Sequence, residues 1–207
     1  MALVKYNNNS ISAITTAGTL ASGAMVLIKE QTASSSATIS FVDGTSDVDL
    51  DATYPIYKFE FINIRGATDD KGLTWNASTD TGSNYNVIST NTMYTSYQQE
   101  DGSPSGLGYS TTHDHAQETG FKKLTVGGAN DTERGASGHI WLFNPSSTTY
   151  VTHWLSYFTQ AANDTYIQNE ITAGYYNTTS AVDAIQFKME SGNIAAGKIK
   201  LYGLKDS

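Results

Sequence analysis

Apolar and polar residues alternate along short stretches of this chain with a period of two. Tyr57, Phe59 and Phe61 alternate with Lys58 and Glu60, which is the pattern of a strand with one face in a core and the other in water. Long runs with apolar residues three and four positions apart, as in an amphipathic helix, do not occur. The pattern therefore predicts an all-β chain.

The same alternation recurs to the end of the chain, for example at Ile185, Phe187 and Met189. The predicted strands cover residues 24–30, 37–42, 57–61, 73–75, 86–89, 92–97, 121–126, 139–143, 150–158, 184–189 and 198–202. Short strands separated by Gly, Asn, Asp and Ser turns predict an antiparallel β-sandwich that is jelly-roll-like. The expected core includes Phe41, Phe59, Phe61, Trp141, Phe143, Phe187 and Leu201.

Two segments depart from this pattern. Residues 98–119 are polar and rich in glycine, so we expect a long surface loop there. Residues 1–22 predict a short N-terminal arm ahead of a sandwich domain of residues 23–207. The arm carries apolar residues among Asn, Ser and Thr, and these are the expected attachment residues: Leu3, Val4, Tyr6, Ile11 and Ile14. Such an arm gains order in a partner's groove or by adding a strand to a partner; the alternative is that it packs on its own domain.

Charge and composition exclude several classes of binding partner and of chemical site. The 207 residues carry a net charge of −8, which argues against nucleic acid and against an anionic membrane surface. The absence of cysteine excludes disulfides, thiol catalysis and thiolate metal sites. No apolar signal segment or membrane-spanning stretch is visible, so we expect synthesis in the cytoplasm and, if the protein ends up outside the cell, release by cell lysis.

Motifs for phosphate or metal binding are incomplete. Residues 192–198 match most of a phosphate-binding loop, but Ile199 follows where a Ser or Thr should hold magnesium. Asp47, Asp49 and Asp51 begin like a calcium-binding EF-hand loop, but Ala52 replaces its glycine. These segments are interpreted as a turn between strands and a solvated acidic loop.

A histidine pair is the remaining metal candidate. His113 and His115 would share one face of an extended segment, but no third ligand stands at a diagnostic spacing. We therefore expect no catalytic residue, no cofactor and no metal site.

Aromatic residues supply the candidate binding surface. They cluster where the core pattern is weakest, at Trp75, Tyr85, Tyr94, Tyr97 and Tyr109. Exposed rings of this kind stack on sugars or form protein interfaces. The alternative is that they pack the ends of the sandwich.

Several segments resemble one family along nearly the whole chain. They are LFNPSSTTY (142–150), AGYYNTTSAVDAIQFKM (173–189) and SGNIAAGKIKLYG (191–203), with IKEQTASSSATISF (28–41) and LDATYPIY (50–57) in the N-terminal part. They are similar to tailed-bacteriophage virion structural proteins, common in marine and cyanobacterial phages. These motifs are turns and strands, and no catalytic residue carries over.

The resemblance implies a non-enzymatic component of the virion, either a capsid decoration or head-associated protein or a tail-associated one. Its partners would be other virion proteins, and we expect a homo-oligomer, with a trimer suggested by analogy with other phage sandwiches. The alternative is a tail-fibre or receptor-binding module that recognises host surface glycans. An enzyme acting on cell-wall polysaccharide is disfavoured because the sequence shows no acid/base constellation.

Overall fold

The computed structural model describes residues 24–162 and 165–205, and these residues form strands and no helix. In this part of the chain no helix could cross a membrane. The thirteen strands are β1 (Met25–Ser36), β2 (Ile39–Val42), β3 (Ile56–Gly66), β4 (Leu73–Ser78), β5 (Ser89–Gln99), β6 (Ser105–Tyr109), β7 (His115–Glu118), β8 (Lys122–Lys123), β9 (Ala136–Phe143), β10 (Thr152–Ala161), β11 (Tyr166–Tyr176), β12 (Ala184–Met189) and β13 (Ile194–Leu204).

The strands form two antiparallel sheets of unequal width. Nine strands form one sheet in the order β1-β13-β3-β9-β10-β11-β5-β6, with β7 also paired to β5. The other sheet has four strands in the order β2-β12-β4-β8. The predicted antiparallel sandwich is confirmed. The larger sheet alone has nine strands, whereas the jelly roll suggested by the sequence has eight strands in its two sheets together.

An aromatic cluster joins the two sheets. The rings of Phe41 and Phe187, from the smaller sheet, each lie 5.3 Å from the ring of Phe59 in β3, in edge-to-face contact. Trp75 of β4 meets Trp154 of β10 in the same geometry at 5.1 Å. All five side chains are buried, and edge-to-face contacts of this kind add about 0.5–1.5 kcal/mol beyond burial itself.

Two expectations about strands were wrong. Residues 98–119 are not one loop, because β6 and β7 lie within them and both pair with β5. Residues 166–176, which carry no obvious strand pattern, form the full-length strand β11. Gln168, Glu170 and Thr172 are buried along β11, and Tyr176 is buried at its end, so most of its core-facing positions are polar and the usual alternation is absent.

Two expected core residues were also placed on the wrong face. Phe143 is 37% exposed and Trp141 is only half-buried. Ile140 and Leu142 are fully buried instead. Because neighbouring residues of a strand point to opposite faces, Trp141 and Phe143 must point outward.

The predicted arm, residues 1–22, lies outside the described residues, together with Leu3, Val4, Tyr6, Ile11 and Ile14.

The aromatic cluster sets the first prediction. Phe59→Ala removes a fully buried ring between the sheets and should lower the free energy of unfolding by about 3–5 kcal/mol. Phe143→Ala is the matched control, because it removes the same ring from the outward face and should cost far less. Urea unfolding measures both, and equal midpoints for the two variants would reject this assignment of faces.

Candidate interaction surface

The outer face of the nine-stranded sheet carries large apolar side chains that nothing covers among the described residues. Leu155 and Tyr157 of β10, Ile171 of β11 and Tyr94 of β5 are 40–49% exposed. Their neighbours in sequence, such as Trp154 and Phe158, point into the core. Single exposed apolar residues are common, but contiguous ones mark interaction sites.

Strand register brings these side chains together. Tyr157 pairs with Ile171, Ile171 pairs with Tyr94, and Tyr94 pairs with Tyr109. Directly paired side chains on one face lie about 4.5–5.5 Å apart at Cβ, so these four form one row across β10, β11, β5 and β6. The Tyr94 and Tyr109 rings touch edge to face, with centroids 5.5 Å apart.

A second pair widens the row. Leu155 lies opposite Trp141 of β9 in the ladder, one step along the strands from Tyr157. We call the six residues together the outer band: Tyr94, Tyr109, Trp141, Leu155, Tyr157 and Ile171.

Charged residues border the outer band on one side. Lys58 Nζ lies 5.1 Å from the centroid of the Trp141 ring and 2.6 Å from Glu60 Oε1. Further out, Lys198 and Lys200 approach Glu30 at 2.7 and 3.4 Å. The outer face therefore has an apolar half over β9, β10, β11, β5 and β6, and a charged half over β1, β13 and β3.

The aromatic residues predicted from sequence do not form one site. The prediction for Trp75 was wrong, because Trp75 is fully buried between the sheets. Tyr85 is half-buried in the connection between β4 and β5. Only Tyr94 and Tyr109 lie together on the outer band.

Tyr97 lies three residues after Tyr94 in β5, so its side chain points to the opposite face of the sheet. Its ring lies flat over Gly106, where a Cβ would come within 2.7 Å of Tyr97 Cε1. A side chain at this position would displace the ring from the β6 backbone.

Four of the six residues of the outer band were missed by the sequence analysis, because Trp141 was assigned to the core and the other three were not singled out. Leu155, Tyr157 and Ile171 lie in strands whose outward positions are apolar. The available signal was in β10, where Trp154 and Phe158 alternate with Leu155 and Tyr157. A strand apolar on both faces is expected to be covered on both.

A shallow depression lies at the β5–β6 end of the sheet. It encloses about 460 Å³ and is lined by residues of the β5–β6 hairpin and the segment after it, including Tyr97, Leu107 and Tyr109. The hydroxyl of Tyr109 donates to Asp114 Oδ2 at 2.7 Å. An aromatic ring beside a carboxylate offers both stacking and hydrogen bonding to a ligand.

The incomplete motifs form structural elements. Residues 192–198 make the turn between β12 and β13 and the start of β13, with Gly192 at φ 73°. The hydroxyl of Ser110 lies 2.8 Å from Nδ1 of His113. Asp51 accepts a hydrogen bond from the Thr53 amide. Within residues 24–162 and 165–205, no three acidic, His or Cys side chains group as a metal site would require.

A buried carboxyl lies beneath the outer band. Glu170 Oε1 accepts hydrogen bonds from Gln160 Nε2 at 2.6 Å and from the Val126 amide at 3.1 Å. Burial raises the pKa of Glu170 to about 8, because the charged form loses its hydration.

Comparison of the whole chain with protein-family models, with curated proteins and with solved structures finds no significant match.

The burial of Glu170 predicts that the free energy of unfolding depends on pH. A carboxyl whose pKa is raised in the folded protein favours folding below its ordinary pKa, and this contribution is lost as the pH rises through the folded value. The free energy of unfolding of Glu170→Gln should therefore fall less than that of the wild type between roughly pH 5 and pH 8. Glu118→Gln changes an exposed carboxyl and is the control. If the free energy of unfolding, measured in urea, changed with pH equally in the wild type and in Glu170→Gln, the raised pKa of Glu170 would be contradicted.

Proposed function

We propose that this chain is a structural subunit of a tailed-bacteriophage particle, in which copies of the chain join through the outer band and the N-terminal arm attaches them to other virion proteins. The observation that carries the proposal is the uncovered apolar row of Tyr157, Ile171, Tyr94 and Tyr109. The family resemblance of the sequence supplies the phage context.

The composition of the outer band favours a protein partner. Four of its six members are Tyr or Trp, which are enriched in protein interfaces, and none is charged. A net charge of −8 on every copy makes the copies repel one another. If copies meet through the apolar half of the outer face, burial of its apolar side chains offsets that repulsion. The acidic side chains on the charged half then stay apart.

The arm supplies the second contact. Its apolar residues, interspersed with Asn, Ser and Thr, suit a groove or sheet edge on another protein. One arm alone would bind weakly because ordering it costs entropy. Several copies held together by the outer band raise the effective concentration of the arms on a repeating surface, so the two contacts support each other.

Recognition of host glycans is the second candidate. The depression lined by Tyr97 and Tyr109 supports it, because aromatic rings stack on sugars. Binding of the purified protein to host glycans on an array, lost on Tyr109→Ala, would favour a tail-fibre or receptor-binding role over a purely structural one.

Self-association tests the role of the outer band. Ile171→Asp places a charge in the middle of the row and should convert a sedimenting oligomer into monomers. Ile62→Asp is the matched control, because Ile62 is 39% exposed against 42% for Ile171 but lies on the charged half of the face. A monomeric wild type, or equal sedimentation of wild type and Ile171→Asp, would contradict the assignment of this surface.

Deletion of residues 2–20 tests the arm. The truncated chain keeps the whole described sandwich, so it should fold and self-associate but fail to join phage particles. Its occupancy on purified particles, compared with that of the full chain, is the measurement. Incorporation at wild-type occupancy would show that the arm is not the anchor.

A further inference from the structure

Lys122 and Asn76 are in direct contact inside the protein. Lys122 lies in β8 and Asn76 in the neighbouring strand β4, and both are fully buried. Lys122 Nζ donates a hydrogen bond to Asn76 Oδ1 at 2.6 Å. An amine is thus held against a side-chain amide where water has no access.

The orientation of the Asn76 amide is fixed by its other partners. Nδ2 donates to the carbonyl oxygens of Tyr85, Thr119 and Gly120 at 3.0, 2.9 and 3.3 Å. Three acceptors around one atom identify it as the nitrogen. Oδ1 must therefore be the atom that faces Lys122.

Lys122 lacks the usual partner of a buried cation. The Tyr176 ring lies under it, with the centroid 4.6 Å from Nζ, and no ion pair to Lys122 occurs within the described residues, whereas the adjacent Lys123 pairs with Glu190 at 3.1 Å. Burial lowers the pKa of Lys122 to about 7, because the ammonium loses hydration. A substantial fraction of the side chain is then the neutral amine, which is the nucleophilic form.

We propose that Lys122 and Asn76 join in an intramolecular isopeptide bond. Nζ attacks Cγ of Asn76, the Cγ–Nδ2 bond breaks, and one proton passes from Nζ to Nδ2, which leaves as ammonia. The step is a transamidation that balances without oxidant, reductant or cofactor.

The surroundings assist this reaction. The Ala77 amide donates to Asn76 Oδ1 at 2.8 Å, so it stabilises the negative charge that develops on that oxygen during attack. Burial excludes the water that would compete with the amine.

His115 lies near the reacting pair. Its ring lies beside Gly120, where a Cβ would come within 3.7 Å of Cε1, and the Gly120 carbonyl holds the departing nitrogen. The buried Nδ1 of His115 has no hydrogen-bond partner among the described residues. Desolvation lowers the pKa of His115, which keeps the ring neutral and able to accept a proton.

The bond would close a loop over a large part of the molecule. Asn76 and Lys122 are 46 positions apart, and β5, β6 and β7 lie between them. A covalent closure restricts the unfolded chain as a disulfide does. The chain has no cysteine, and an amide link, unlike a disulfide, resists reduction.

Intact mass spectrometry of the full chain under denaturing conditions tests the proposal. The wild type should lie about 17 Da, the mass of ammonia, below the mass of its sequence. Lys122→Met and Asn76→Ala should both lie at their sequence masses, and Lys123→Met, the matched control, should keep the loss. A wild type at its full sequence mass overturns the proposal, whether or not the variants fold.

Proteolysis after glutamate locates the bond, because succinimide formation at another asparagine also removes ammonia. Cleavage after Glu100 and Glu118 separates Asn76 from Lys122 in the chain. The fragments 61–100 and 119–133 should nevertheless remain joined and carry the loss. Separate fragments, with the loss on either one or elsewhere, would overturn the proposal.

Discussion

The mismatch in width between the two sheets is the constraint on which the rest of this structure depends. At the usual strand spacing, the path of eight paired strands is roughly 34 Å wide and the four-stranded sheet roughly 14 Å. The smaller sheet therefore covers only part of the larger one. Its aromatic side chains reach β3 and β10 through Phe187 and Trp75, which is where the apolar core lies.

Beyond the smaller sheet, the inner face changes character. Over most of β11 the buried side chains are polar, namely Gln168, Glu170 and Thr172, and Tyr176 is buried only at its end. The chain after β8 supplies the cover, as the hydrogen bond from the Val126 amide to Glu170 shows. The two isoleucines of β11, Ile167 and Ile171, face outward instead. Up to Thr172 the strand thus presents polar side chains to the interior and two isoleucines to the surface.

The character of each strand's two faces explains which strands and core residues could be predicted from the sequence. Where one face is apolar and the other charged, as at Tyr57–Phe61, strand and core assignments were correct. Where both faces are apolar, as around Trp141, alternation could not distinguish inside from outside. Where the inner face is polar, as in β11, the strand was missed. Tyr94 and Tyr109 were found because they are aromatic, but their joining with Ile171 and Tyr157 depends on long-range register that no local pattern contains.

The central claim is that the outer band is an assembly surface in a phage particle. A density map of particles that carry this protein tests it most directly, because the map shows what lies against each face of the sandwich. The account predicts neighbouring copies of the chain packed over Tyr157, Ile171 and Tyr94. Copies that touch only through other faces, with the outer band open to solvent, would contradict it.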